Sequence, residues 1–111
     1  MTTISLEDKW IKAARVFGDM ESVVREVLRA YLADQCRGHL QETGDRVSFY
    51  AERYGCDYTA FRHSVQTDGA FLKSLEARNP LWEEDAMEWE YRTEGHQAWQ
   101  NRLDAILKQE V

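Results

Sequence analysis

Residues 20–32 read MESVVREVLRAYL, and this stretch decides the architecture. Its apolar members, Met20, Val23, Val24, Val27, Leu28, Tyr31 and Leu32, recur at intervals of three and four, so a 3.6-residue turn gathers them on one face. The spacing predicts a helix running from Met20 to about Leu40. Asp19 stands just before the stripe, where its carboxylate can accept a free amide of the first turn. Upstream, Trp10, Ile11, Ala14 and Phe17 share a face of a preceding helix over 7–17, and Gly18 ends it by tolerating a left-handed backbone. Further out, Thr2 to Leu6 alternate weakly, with Ile4 and Leu6 on one side and Thr3 and Ser5 on the other. They predict a short half-buried strand, with a leader into the first helix as the alternative.

Moving toward the C-terminus, Gln41–Arg46 contains no apolar residue and holds Gly44 and Asp45, so it reads as a loop and as the boundary between two sub-modules. Val47, Phe49, Tyr50 and Tyr54 then fall in a short helix begun at Asp45 or Ser48 and stopped at Gly55. Asp57 can cap a further helix bearing Tyr58, Phe61 and Val65, with Thr67, Asp68 and Gly69 as its exit. Phe71, Leu72 and Leu75 supply one more apolar patch. Asn79-Pro80 suits a helix opening, followed by Glu83, Glu84 and Asp85 in a dipole-compatible first turn. Trp82, Ala86 and Trp89, then Trp99, Leu103, Ile106 and Leu107, carry apolar faces through the last third. Gly95 lies between them, and the pattern favours one continuous or kinked helix over two.

The fold class expected is therefore mainly all-α: an N-terminal helical hairpin with or without a short strand, several short helices and a long C-terminal helix. Its 111 residues allow one small domain or two sub-modules on one core, which excludes catalysis needing a large α/β scaffold. Residues 1–40 read as a dimerisation module and 46–111 as an aromatic-rich partner-binding module. Cys36 and Cys56 read as free thiols of a reducing compartment, no apolar run approaches a bilayer span, and the expected location is cytoplasmic. The net charge of −6 disfavours a large nucleic-acid surface.

Charge is uneven. Residues 79–111 hold three basic and eight acidic residues together with Trp82, Trp89, Tyr91 and Trp99. Rings that desolvate well beside Glu84 and Glu88 suit the capture of a basic protein, while internal packing of the tryptophans is the plainer alternative.

Catalytic chemistry finds little support. His39, His63 and His96 lie far apart and form no short metal-binding pair with each other or with a cysteine. Cys56 near His63 reads as packing rather than as a nucleophile and its base. Glu84, Asp85 and Glu88 have the spacing to hold Mg²⁺, as in an all-helical nucleotide hydrolase, but the second carboxylate pair is missing. No cofactor or metal is expected. Arg15, Arg25, Arg29 and Arg37 interleave with acids, as in a satisfied surface network.

The N-terminal order of short polar strand, helix, glycine turn and the helix ESVVREVLRAYL resembles the ribbon-helix-helix family of small dimeric transcription factors and antitoxins. The resemblance covers residues 2 to about 34. It implies that Thr3, Ser5 and Ser22 face DNA while Ile4, Leu6, Trp10, Val24, Val27, Leu28 and Tyr31 build a dimer core. The second helix opens Asp19-Met20-Glu21-Ser22, with carboxylates at the expected phosphate position and no Arg or Lys on the ribbon. Phe49 with Tyr54-Gly55, then Tyr58 and Phe61, then Glu88-Trp89-Glu90, are similar to pieces of antitoxin proteins. They imply a basic toxin as partner.

The function expected is a non-catalytic, antitoxin-like interaction module that forms a homodimer and neutralises a basic partner. Its alternatives are a ribbon-helix-helix repressor and, last, the Mg²⁺-dependent hydrolase.

Overall fold

Asp19 caps the second helix: its Oδ1 accepts the Ser22 amide at 3.0 Å and its Oδ2 accepts the Ser22 hydroxyl at 2.9 Å. In the computed structural model, which describes residues 7–109, that helix is the longest of five. The order is α1 (Asp8–Arg15), α2 (Met20–Tyr54), α3 (Tyr58–Thr67), α4 (Gly69–Arg78) and α5 (Trp82–Leu107). Gly55 stops α2 in the left-handed region at φ 75°, where a side chain would be strained. Asp57 and Asp68 cap α3 and α4 through the amides of Ala60 and Phe71.

The molecule is a rod of 68 × 24 × 22 Å, because α2 and α5 lie side by side along most of its length. Ala33, Cys36, Leu40, Thr43, Val47, Tyr50 and Tyr54 alternate at three and four along α2, the period that keeps one seam facing a partner helix. Two apolar clusters fill this seam. Ala33, Cys36, Leu103 and Ile106 form the smaller, with Leu40 and Trp99 against it. Tyr50, Phe61, Leu75 and Trp89 form the larger, where α3 and α4 fold back over the end of α2 and the start of α5. Between them sits a polar joint. Thr43 Oγ1 donates to the His39 carbonyl at 2.9 Å and lies 2.8 Å from His96 Nδ1, within hydrogen-bond distance of the ring.

Several sequence expectations are corrected here. Among the described residues there is no strand, and the proposed strand at Thr2–Leu6 lies outside them. The ribbon-helix-helix antitoxin resemblance is overturned by the described residues, which are all-helical and strand-free and whose principal element is an intramolecular hairpin. The loop and boundary at Gln41–Arg46 are also absent: helix runs unbroken through them, so the divide between 1–40 and 46–111 falls inside α2. Thr43 and Val47 supply the reason, since they pack against α5 at that point and tertiary contact outweighs one glycine. Gly95 neither bends α5 apart nor splits it. Asn79 does accept a helix-opening amide, that of Leu81 at 3.1 Å, but α5 begins at Trp82 rather than at Pro80.

Candidate protein-interaction site

Along the hairpin, polar side chains bind α2 to α5 above the aromatic cluster. The Tyr50 hydroxyl donates to Glu88, whose other oxygen accepts Arg46 at 2.9 Å. Arg92 joins the same carboxylate at 3.6 Å and reaches Glu42 at 3.9 Å. The hydrogen bonds from Tyr50 and Arg46 hold the Glu88 carboxyl below its ordinary range. One turn along, Tyr54 donates to Asp85 at 2.5 Å and accepts Asn79 Nδ2 at 2.9 Å. Burial first, then the bond to Asp85, push the Tyr54 hydroxyl up to about 12. The tyrosines, carboxylates, Arg46 and Asn79 satisfy one another, as in a structural network, while Arg92 Nε is buried without a hydrogen bond.

That network engages two of the three carboxylates whose spacing could hold Mg²⁺. Glu88 is committed to Tyr50 and Arg46, Asp85 to Tyr54, Asn79 and Arg53, and only Glu84 is left outward. Among the described residues no group of three or more His, Cys, Asp or Glu is placed to hold a metal ion. Cys36 is buried and Cys56 half-buried, both unpaired, and burial raises the Cys56 thiol away from reactivity.

The tryptophans expected on a partner-binding face are packing residues instead. Trp89 has no exposed surface and is surrounded by Tyr50, Tyr54, Tyr58 and Phe61 at centroid distances of 5.2–6.0 Å. Trp82 leans on the same cluster. Trp99 is half-buried, with His39 stacked on it at 3.9 Å and Arg102 at 4.4 Å. Tyr91 alone of the four aromatics is exposed, and it shares the outward face of α5 with Glu84, Met87 and Glu94. Met87 and Glu94 were missed because an isolated methionine among charges carries no periodic signal.

The opposite end of the rod is different. Arg29 Nη2 donates to the Leu107 carbonyl at 2.7 Å, which marks where α5 ends against α2. The first nine residues of α2 project about 14 Å beyond that point, flanked by α1 through half-buried Ile11 and Ala14. Of the expected dimer core, Trp10, Val27, Leu28 and Tyr31 are 61%, 61%, 47% and 58% exposed, and Val24 is half-buried. Phe17, Leu32 and Leu107 extend the same surface and were not among the site residues read from the sequence. Open clefts separate these side chains. One of about 450 Å³ lies among Leu28, Leu32, Ile106, Arg25, Arg29 and Gln109, and another of about 370 Å³ among Trp10, Ala14, Met20, Val23, Val24, Val27 and Leu28. Residues 7–37 carry six acids and six bases, so this end is neutral while the whole chain stands at −6.

Of the residues expected to face DNA, Thr3 and Ser5 lie outside the described residues. Ser22 spends both its amide and its hydroxyl on Asp19, and those hydrogen bonds lower the Asp19 carboxyl. No helix among the described residues is long and apolar enough to cross a membrane. No family model matches the chain, and neither a curated protein nor a solved structure is similar to it.

Proposed function

We propose that this chain is a non-catalytic protein-interaction module that self-associates as a homodimer through the apolar end of its helical rod. The observation that carries the reading is the uncovered stripe of Trp10, Val27, Leu28 and Tyr31 where α2 outruns α5. Aromatic side chains bury about 150–250 Å² each, so Trp10, Phe17 and Tyr31 with their aliphatic neighbours approach the roughly 800 Å² per partner of a standard interface. Patches of that size on soluble chains mark contact surfaces. Neutrality favours a second copy over a basic partner here, since the remainder of the chain repels its own kind and this end does not.

Light scattering across a concentration series tests it. The wild type is expected at twice the mass of the chain, and Val27→Glu at the mass of one chain with its helical circular dichroism retained. Val27 is largely exposed within the chain, so its substitution leaves the hairpin core intact. A wild type that stays monomeric at every concentration overturns the reading.

A second reading concerns the outward face of α5, where exposed Met87 and Tyr91 lie between Glu84 and Glu94. That face suits a basic partner helix, which apolar contact would hold and carboxylates would steer. Titration with a lysine-rich amphipathic peptide tests it: affinity that falls with salt and in Glu84→Lys/Glu94→Lys supports it, and affinity indifferent to both overturns it.

A further inference from the structure

We infer that in the dimer Trp10 of α1 and Phe17, two residues past its end, fill the α2–α5 cleft of the other copy, an inference that rests on the self-association proposed above. Phe17 is 85% exposed and Trp10 61%, so the first ring is almost uncovered by its own chain and the second only partly covered. Phe17 borders Ser22, Val23, Glu26 and Val27 on one flank of α2. The 450 Å³ cleft is walled by Leu28, Leu32 and Ile106 on the opposite flank. Helical spacing keeps these two flanks of α2 apart, so Phe17 cannot enter the cleft of its own chain, while Trp10 lies over the neighbouring hollow, which meets the cleft at Leu28.

A two-fold axis removes the obstacle. It presents the protruding rings of each copy to the open cleft of the other, and one operation satisfies both, as an isologous contact requires. Leu28, Leu32 and Ile106 make the apolar part of the cleft, Arg25, Arg29 and Gln109 rim it, and its volume exceeds that of one aromatic side chain.

The test places p-benzoylphenylalanine at Phe17 in full-length protein, mixes it with ¹⁵N-labelled wild-type chain, and irradiates after light scattering has established the mass of the mixture. Cross-links from unlabelled to labelled chain within residues 25–32 or 103–109 are the result expected. In parallel, Phe17→Ala is expected to raise the dimer Kd by about tenfold or more, the effect of losing a buried aromatic anchor. A dimer whose cross-links fall elsewhere, or within one chain, overturns this packing and leaves self-association standing. A monomeric wild type overturns both. The same measurement with the probe at Trp10 covers a Phe17 variant that fails to dimerise.

Discussion

Arg29 Nη2 donates to the carbonyl oxygen of Leu107 at 2.7 Å, joining residues 78 apart in sequence. The last carbonyls of a helix have no intrahelical partner, and a guanidinium from the neighbouring helix supplies one with favourable charge for the α5 C-terminus. The bond marks the register of the hairpin at its open end. The covered seam begins one turn on, at Ala33, and the uncovered stripe lies before it.

Arg29→Ala is therefore expected to fray the last turn of α5. The loss of a hydrogen bond from a charged donor at a partly exposed site should cost about 1 kcal/mol. Amide exchange over 103–107 should accelerate while Trp89 and its neighbours keep their protection. Unchanged exchange at Leu107 would show that the contact contributes nothing.

Trp89→Ala should cost about 3–5 kcal/mol, the range for a large aromatic deleted from a packed core. Tyr91→Ala, two residues on but facing outward, should stay within about 0.5 kcal/mol. Denaturant midpoints of the two variants separate packing from surface directly, and equal losses would contradict the burial described. Trp89 Nε1 is buried without an acceptor, so Trp89→Phe trades some packing for relief of an unmatched donor and should cost far less than alanine.

Stability should depend on pH at both extremes. The folded-state pKa of Glu88 is depressed by hydrogen bonds from Tyr50 and Arg46, so its contribution is present above the ordinary value of 4.5 and is lost as pH falls through the folded one. Tyr54 runs the other way. Its folded pKa is raised from 10.0 to about 12, so its contribution is full below 10.0 and is lost as pH rises toward about 12. Urea midpoints against pH should fall on both sides. Glu88→Gln should flatten the acid limb and Tyr54→Phe the alkaline limb, and a Tyr54→Phe profile identical to wild type above pH 10 would remove the assignment.

Much of this fold is legible in the sequence, and the part that is not has a common cause. The 20–32 stripe, the caps at Asp19 and Asp57 and the stop at Gly55 are encoded within one or two turns, and local reading finds them. The continuity of α2 through Gln41–Arg46 is encoded at long range, in Thr43 meeting His96 and Val47 packing into the aromatic cluster formed with Trp89. Polar Thr43 occupies a seam position between Leu40 and Val47, so a search for apolar residues sees a gap where the heptad is in fact complete. The same limit misplaced the tryptophans. Aromatic composition shows that large rings are present, but whether Trp89 points inward depends on α3 and α4 folding over it. The uncovered stripe was readable for the converse reason: a helix face with seven apolar residues needs cover, and only the structure shows that α5 stops too soon to give it.

Two glycines give the last contrast, because they differ in backbone rather than in surroundings. Gly95 lies within α5 at helical dihedrals, and a Cβ there would meet nothing within 4 Å. Gly95→Ala should therefore stabilise by about 0.5–1 kcal/mol, by reducing the freedom of the unfolded chain without a clash. Gly55 is equally open to a Cβ but holds φ +75° at the end of α2. Gly55→Ala should destabilise by about 1–2 kcal/mol, the penalty for an L side chain in the left-handed region. Thermal melts of the two variants should shift in opposite directions. A gain at both positions would mean that α2 can end without the left-handed turn, and that the fold-back of α3 onto Trp89 does not depend on it.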